Sequence, residues 1–108
     1  MEFIADGDFA NKTSQGIVLV DFYASWCMPC LRMEKQVEDF ASNNPNVTVY
    51  KYNVDKGVKI WNEAKQRHNV RSIPFVVIYK DGEPVAAEVG YKSSEELQKI
   101  FNDIVSGG

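Results

Sequence analysis

A chain of 108 residues has room for one hydrophobic core and not for two, so a single domain over residues 1–108 is expected. Its 44% hydrophobic and 25% charged residues are ordinary for a globular protein, and a net charge of −3, spread along the chain, argues against a nucleic-acid partner. No apolar run approaches the roughly 18 residues of a membrane-spanning helix, and acids stand at Glu2 and Asp6 where a signal peptide would be basic and then apolar, so a cytoplasmic chain is expected.

Glu2-Phe3-Ile4 reads as a short first strand, followed by a brief helix through Phe9, Ala10 and Lys12, capped by Asp6 or Asp8 and ended near Gly16. Ile17 to Tyr23 is an apolar, β-branched run and reads as a buried central strand. From Pro29 onward Met33, Val37, Phe40 and Ala41 fall on one face of a helix, which Asn43-Asn44-Pro45-Asn46 stops. Val47 to Val54 is the next strand, and the two strands flanking a helix should run parallel with a right-handed crossover. Asp55 and Gly57 break it. Trp61, Ala64, Lys65 and His68 mark one side of a second long helix reaching Asn69. Phe75 to Tyr79 and Pro84 to Val89 are strands joined by Asp81-Gly82, a strong hairpin signal. Ser93-x-x-Glu96 is a capping box that opens the last helix, whose face is Leu97, Ile100, Phe101, Ile104 and Val105, with Ser106-Gly107-Gly108 as a frayed end. The order β-α-β-α-β-α-β-β-α belongs to the α/β class: a mixed five-stranded sheet with four helices on its two faces.

The two cysteines, Cys27 and Cys30, stand at the junction of the central strand and the following helix. So short a loop constrains little of the unfolded chain, which makes their use chemical rather than architectural. Three residues apart at a helix start, the side chains share a face and can close a disulfide. The helix N-terminus favours an anion. Cys27 at the cap is therefore expected to be the exposed, low-pKa nucleophile and Cys30, inside the first turn, the buried resolving thiol. Pro29 suits that turn, where its missing N–H costs nothing. A metal site is the rival use, but His68 is the one further soft ligand and structural zinc wants four, so no metal is expected.

Two charged residues stand in apolar strands. Asp21 shares a strand face with Ile17 and Leu19, where burial without a cationic partner would raise its pKa and suit it to carry a proton for Cys30. The alternative is an acid tolerated near a strand end. Lys51 alternates with Val47 and Val49, so it either acts as a charge neighbour of Asp21 or snorkels to water. Trp61, on an apolar helix face, is expected in the core. His68 is expected at or near the surface by a helix C-terminus that favours positive charge, with no catalytic role.

Val20-Asp21-Phe22-Tyr23-Ala24-Ser25-Trp26-Cys27-Met28-Pro29-Cys30 resembles the active-site segment of the thioredoxin family. Lys51-Tyr52-Asn53-Val54-Asp55, Arg71-Ser72-Ile73-Pro74 and Val89-Gly90 are similar to further motifs of that family, in the same order, so the resemblance covers nearly the whole chain. It implies the thioredoxin fold, a redox-active Cys27–Cys30 disulfide, and reduction of protein disulfides with electrons from a thioredoxin reductase. No tightly bound cofactor is implied, and a monomer is expected. The resemblance also implies a cis Ile73–Pro74 bond facing the cysteines. Around it would lie a docking surface of Trp26, Met28, Pro29, Ile73, Pro74, Phe75, Gly90 and Tyr91. Met28 departs from the usual glycine, Leu31 from a common basic residue, and Phe75 from a common threonine, while the segment between Asp55 and Pro74 is longer than usual. The rivals to a reductant are an oxidase or isomerase on the same fold, and a non-enzymatic binding module whose thiols are incidental.

Overall fold

The computed structural model describes residues 1–107. In chain order the elements are β1 (Glu2–Phe3), α1 (Asp6–Lys12), β2 (Ile17–Tyr23), α2 (Met28–Asn43), β3 (Val47–Asn53), α3 (Lys59–His68), β4 (Phe75–Lys80), β5 (Glu83–Val89) and α4 (Ser94–Ser106). The sheet order is β1-β3-β2-β4-β5. Both β1 and β2 run parallel to β3, β4 is antiparallel to β2, and β5 is antiparallel to β4.

Because successive side chains of a strand point to opposite faces, central β2 feeds two cores. Val18, Val20 and Phe22 pack with Phe9 of α1, Tyr52 of β3 and Trp61 of α3. Leu19 packs on the other face with Met33, Val37 and Phe40 of α2 and Leu97 of α4. Trp61 is core, as its position on an apolar helix face implies.

Local signals account for most boundaries. The hairpin between β4 and β5 turns on Asp81 and Gly82, with φ of 50° and 88°, the left-handed pair that matches the twist of the flanking strands. Pro84 lies on β5, an edge strand, where its missing N–H is tolerated. The capping box is formed: Ser93 Oγ accepts from Glu96 N–H at 3.1 Å, and Glu96 Oε1 accepts from Ser93 N–H at 3.0 Å. At the C-terminus Ser106 is still helical, with its hydroxyl donating to Asn102 O at 2.8 Å. Gly108 of the expected frayed end lies outside the described residues.

The first helix departs from expectation. It ends at Lys12, short of Gly16, and its N-cap is Ala5, which offers no side-chain oxygen. Asp6 instead serves a different helix. Its carboxylate accepts from the N–H groups of Val58, Lys59 and Ile60, each at 3.1 Å, and from the Tyr52 hydroxyl at 2.5 Å. It thereby caps α3 from across the fold, since Val58 at that helix's own N-cap has no acceptor to give. Gly57 makes room for this cluster: a Cβ there would stand 2.6 Å from the Tyr52 hydroxyl oxygen.

Candidate active site

The buried run of β2 ends at Tyr23 and Ala24, and a short loop carries the chain through Ser25 and Trp26 to Cys27. Cys27 is the N-cap of α2, Pro29 occupies the first turn, and Cys30 follows it. The two cysteines form a disulfide with Cα atoms 5.2 Å apart. They pack on Tyr23 and Ala24, with Val54 and Ile73 alongside.

The expected contrast in exposure is absent: Cys27 is 5% exposed and Cys30 3%. As N-cap, the Cys27 side chain turns back over the first helical turn, where Sγ accepts from the Cys30 N–H at 3.3 Å. What distinguishes the two sulfurs is position along the helix: Cys27 stands outside it, at the positive end of the dipole, and Cys30 within it.

The Ile73–Pro74 peptide bond is cis. Ile73 touches the cysteine cluster, and Pro74 O accepts from Gly90 N–H at 2.8 Å, which ties the end of β5 to this loop. Gly90 has a φ of 93°, a conformation that favours glycine. Trp26, Met28, Leu31 and Tyr91 expose large apolar side chains, Trp26 the most at 68%. Its ring is not free: the indole N–H donates to Asp55 Oδ2 at 2.7 Å. Between Trp26 and Ile73 lies a cleft of about 420 Å³ whose other walls include Asp55, Arg71 and Ser72.

Phe75 does not join this surface. It pairs with Phe22 and Val89, and strand alternation sends its ring into the opposite core, fully buried, 5.7 Å from Phe22 and 6.1 Å from Trp61. His68 is half-buried against the same ring at 5.7 Å. Burial, then the charge of Arg67, hold its pKa below the usual value, so desolvation outweighs the helix terminus that favours its cation.

Asp21 is 2% exposed, beneath α2, and among the described residues its Oδ1 is a buried side-chain oxygen without a hydrogen-bond partner. Burial pushes its pKa from 3.8 to about 7; Lys51 pulls it down and Glu34 pushes it up. Lys51 is the register neighbour of Asp21 on β3, yet its Nζ donates to Glu34 Oε1 at 2.7 Å and rests over the Tyr23 ring at 4.7 Å. With 12% side-chain exposure, Lys51 does not snorkel to water. Sequence reasoning passed over two residues here. Asp55 enters the sequence reading as a strand breaker and as the end of a family-like motif, with no role at the site, and Glu34 does not enter it, because both act through partners distant in the chain. No helix among the described residues is long and apolar enough to cross a membrane.

Comparison with known proteins agrees with this geometry. The family model described as Thioredoxin matches residues 1–103. A thioredoxin of Chlamydia pneumoniae is 36% identical over 102 residues, covering 94% of this chain and 96% of its own. One from Listeria monocytogenes is 36% identical over 103 residues, with 94% and 96% covered. Among solved structures, a mutant thioredoxin from Halobacterium salinarum superposes with a TM-score of 0.78 at 28% identity, covering 96% of this chain and 88% of that one. A dithiol pair at a helix N-terminus on this fold is the working part of a protein thiol–disulfide oxidoreductase. The chain belongs to the thioredoxin family.

Proposed function

We propose that the protein is a monomeric reductant of protein disulfides, restored by a thioredoxin reductase and working in the cytoplasm, where dithiols are kept reduced. The observation that carries this reading is the Cys27–Cys30 pair at the N-terminus of α2, flanked by the cis Ile73–Pro74 loop. In the reduced protein the Cys27 thiolate attacks one sulfur of a substrate disulfide. A mixed disulfide forms and the other substrate sulfur leaves as a thiolate that takes up a proton. Cys30, giving its proton to the Asp21 carboxylate, then attacks Cys27 Sγ. The Cys27–Cys30 bond forms, the mixed disulfide breaks, and the substrate leaves with both sulfurs reduced. Two electrons have passed to the substrate. The reductase returns two electrons and reopens the pair.

Support for Asp21 as the carrier is its pKa of about 7, near the working pH, where a proton carrier is most effective. Lys51 acts as its charge neighbour. Trp26, Met28, Pro29, Ile73, Pro74, Gly90 and Tyr91 receive the extended chain around the substrate disulfide. The side chain of Phe75, being buried, takes no part.

Equilibration against a series of glutathione ratios tests the direction of the chemistry. A reductant has a potential near about −270 mV, whereas a value at or above about −180 mV would make the protein an oxidant or isomerase. A Cys27→Ser/Cys30→Ser double variant that kept its biological activity would instead support a binding module.

A further inference from the structure

Three charged side chains from three elements meet at the buried end of β2. Asp21 faces α2, on the same side of the strand as Leu19, and its Oδ1 is without a partner. Lys51 stands beside it in register on β3 and is the natural cation for that carboxylate. The ammonium is engaged elsewhere. Glu34, in the second turn of α2, accepts from it at 2.7 Å, and the rings of Tyr23 and Phe3 lie 4.7 and 5.1 Å from the same nitrogen. Side-chain exposures of 12% for Lys51 and 38% for Glu34 place the ammonium inside the fold and the carboxylate at its surface.

We propose that Glu34 is a positioning residue for the second half of the exchange: by holding the Lys51 ammonium it leaves Asp21 free to gain and lose a proton at neutral pH. The inference rests on reading Asp21 as the proton carrier for Cys30. A cation in direct contact with a buried carboxylate lowers its pKa by about 1–3. Asp21 so paired would stay ionised throughout the physiological range and would be a weaker base toward Cys30. Glu34 prevents that pairing by competing for the ammonium, and its own negative charge acts in the same direction. Both effects have the sign found for the group: Lys51 favours the ionised form of Asp21 and Glu34 disfavours it. Lys51 and Glu34 are the charges that act on Asp21; Glu88 of β5 lies on the same sheet face one strand further away, in register with Val76, and Arg32 of α2 is exposed. β4 presents Val76 in register with Asp21, α4 contributes Leu97 to the layer, and the buried titratable group in the first turn of α2 is the Cys30 thiol of the reduced protein.

The full-length protein carrying Glu34→Gln, Lys51→Met or both is the test. Gln preserves the shape of a half-exposed helix side chain, so folding is retained. Two readouts are taken on the reduced protein: the protonation midpoint of the Asp21 carboxyl by infrared or carbon NMR titration, and the rate of exchange with a protein disulfide as a function of pH. In Glu34→Gln the Asp21 midpoint should fall by about one pH unit. The half-maximal pH of exchange should follow it, and the plateau above should drop about threefold as the base weakens. Lys51→Met should move the midpoint up, and the double variant should return it close to the parent, because the opposed charges are removed together. A structural ion pair alone would change stability and leave both profiles in place. Asp21 midpoints that stay within about 0.3 pH unit of the parent in the single variants overturn the inference. A midpoint that moves with an exchange profile that does not overturns the reading of Asp21 as proton carrier, and with it a role for Glu34 in the reaction.

Discussion

Asp21→Asn should stabilise the protein at neutral and alkaline pH while slowing its chemistry. The folded pKa of Asp21 is about 7 against an ordinary 3.8. A raised folded pKa means the native state holds this proton more tightly than the unfolded chain does. Its contribution to stability is therefore fully present below about pH 4, falls as pH rises toward the folded value near 7, and is gone above it. Each pH unit of that interval corresponds to about 1.4 kcal/mol, so ionising the buried carboxyl costs the fold up to about 4 kcal/mol. Asparagine keeps the shape and abolishes the charge, but its amide N–H groups meet the same scarcity of partners, which offsets about 1 kcal/mol. The net gain is on the order of 3 kcal/mol at pH 8 and close to zero at pH 4. Urea melts of the oxidised proteins would read this as a midpoint higher by about 2 M at pH 8, for a slope near about 1.5 kcal/mol/M. Equal midpoint differences at the two pH values would refute the reasoning and make Asp21 an ordinary solvated acid.

The two cysteines should behave asymmetrically. Cys27→Ser abolishes disulfide reduction, and Cys30→Ser accumulates a covalent mixed disulfide with a substrate protein on a non-reducing gel; the reverse pattern would exchange nucleophile and resolver. Asp6→Ala should cost about 2 kcal/mol at pH 7 by uncapping α3, measured by thermal or urea melts. Burial works against the Asp6 anion, but hydrogen bonds from Tyr52, Ile60, Lys59 and Val58 outweigh it and lower the pKa. Its contribution is thus present above the ordinary 3.8 and lost as pH falls through the lower folded value, so the cost should vanish in strong acid.

What the sequence made legible is what neighbouring residues determine. The run Ile17–Tyr23, the capping box at Ser93 and the Asp81-Gly82 turn each state their structure within a few residues, and each formed where expected. The Cys-x-x-Cys junction is legible for the same reason: a cap, a proline and two thiols occupy one turn. Phe75 stands beside Pro74, which suggests the surface, but strand alternation turns its ring into the core. Val76 and Ile78 face α2 and α4, so Phe75 and Val77 must face the other core. Cys27 was expected to be more open than it is because a cap residue reads as exposed until its side chain is seen to close over the turn.

The contacts that tune the site lie outside that local range. Asp6 and the N–H of Val58 are separated by 52 residues, Trp26 and Asp55 by 29, Glu34 and Lys51 by 17. Each joins a side chain with good local reasons to be doing something else. Asp6 and Asp21 show how far this reaches. Both are aspartates beside an apolar run, one entering a helix and one inside a strand. The fold surrounds Asp6 with four donors and its pKa falls. It leaves Asp21 with an unpartnered oxygen and a lysine engaged by Glu34, and its pKa rises to about 7. Burial and donors act together: desolvation raises both pKa values, but Asp21 is 2% exposed and short of partners, whereas Asp6 is half-buried and held by four donors. A carboxylate with its hydrogen bonds made can stiffen a helix end permanently, whereas one buried and held short of partners stays near its titration point, as the proton transfer proposed for Asp21 requires.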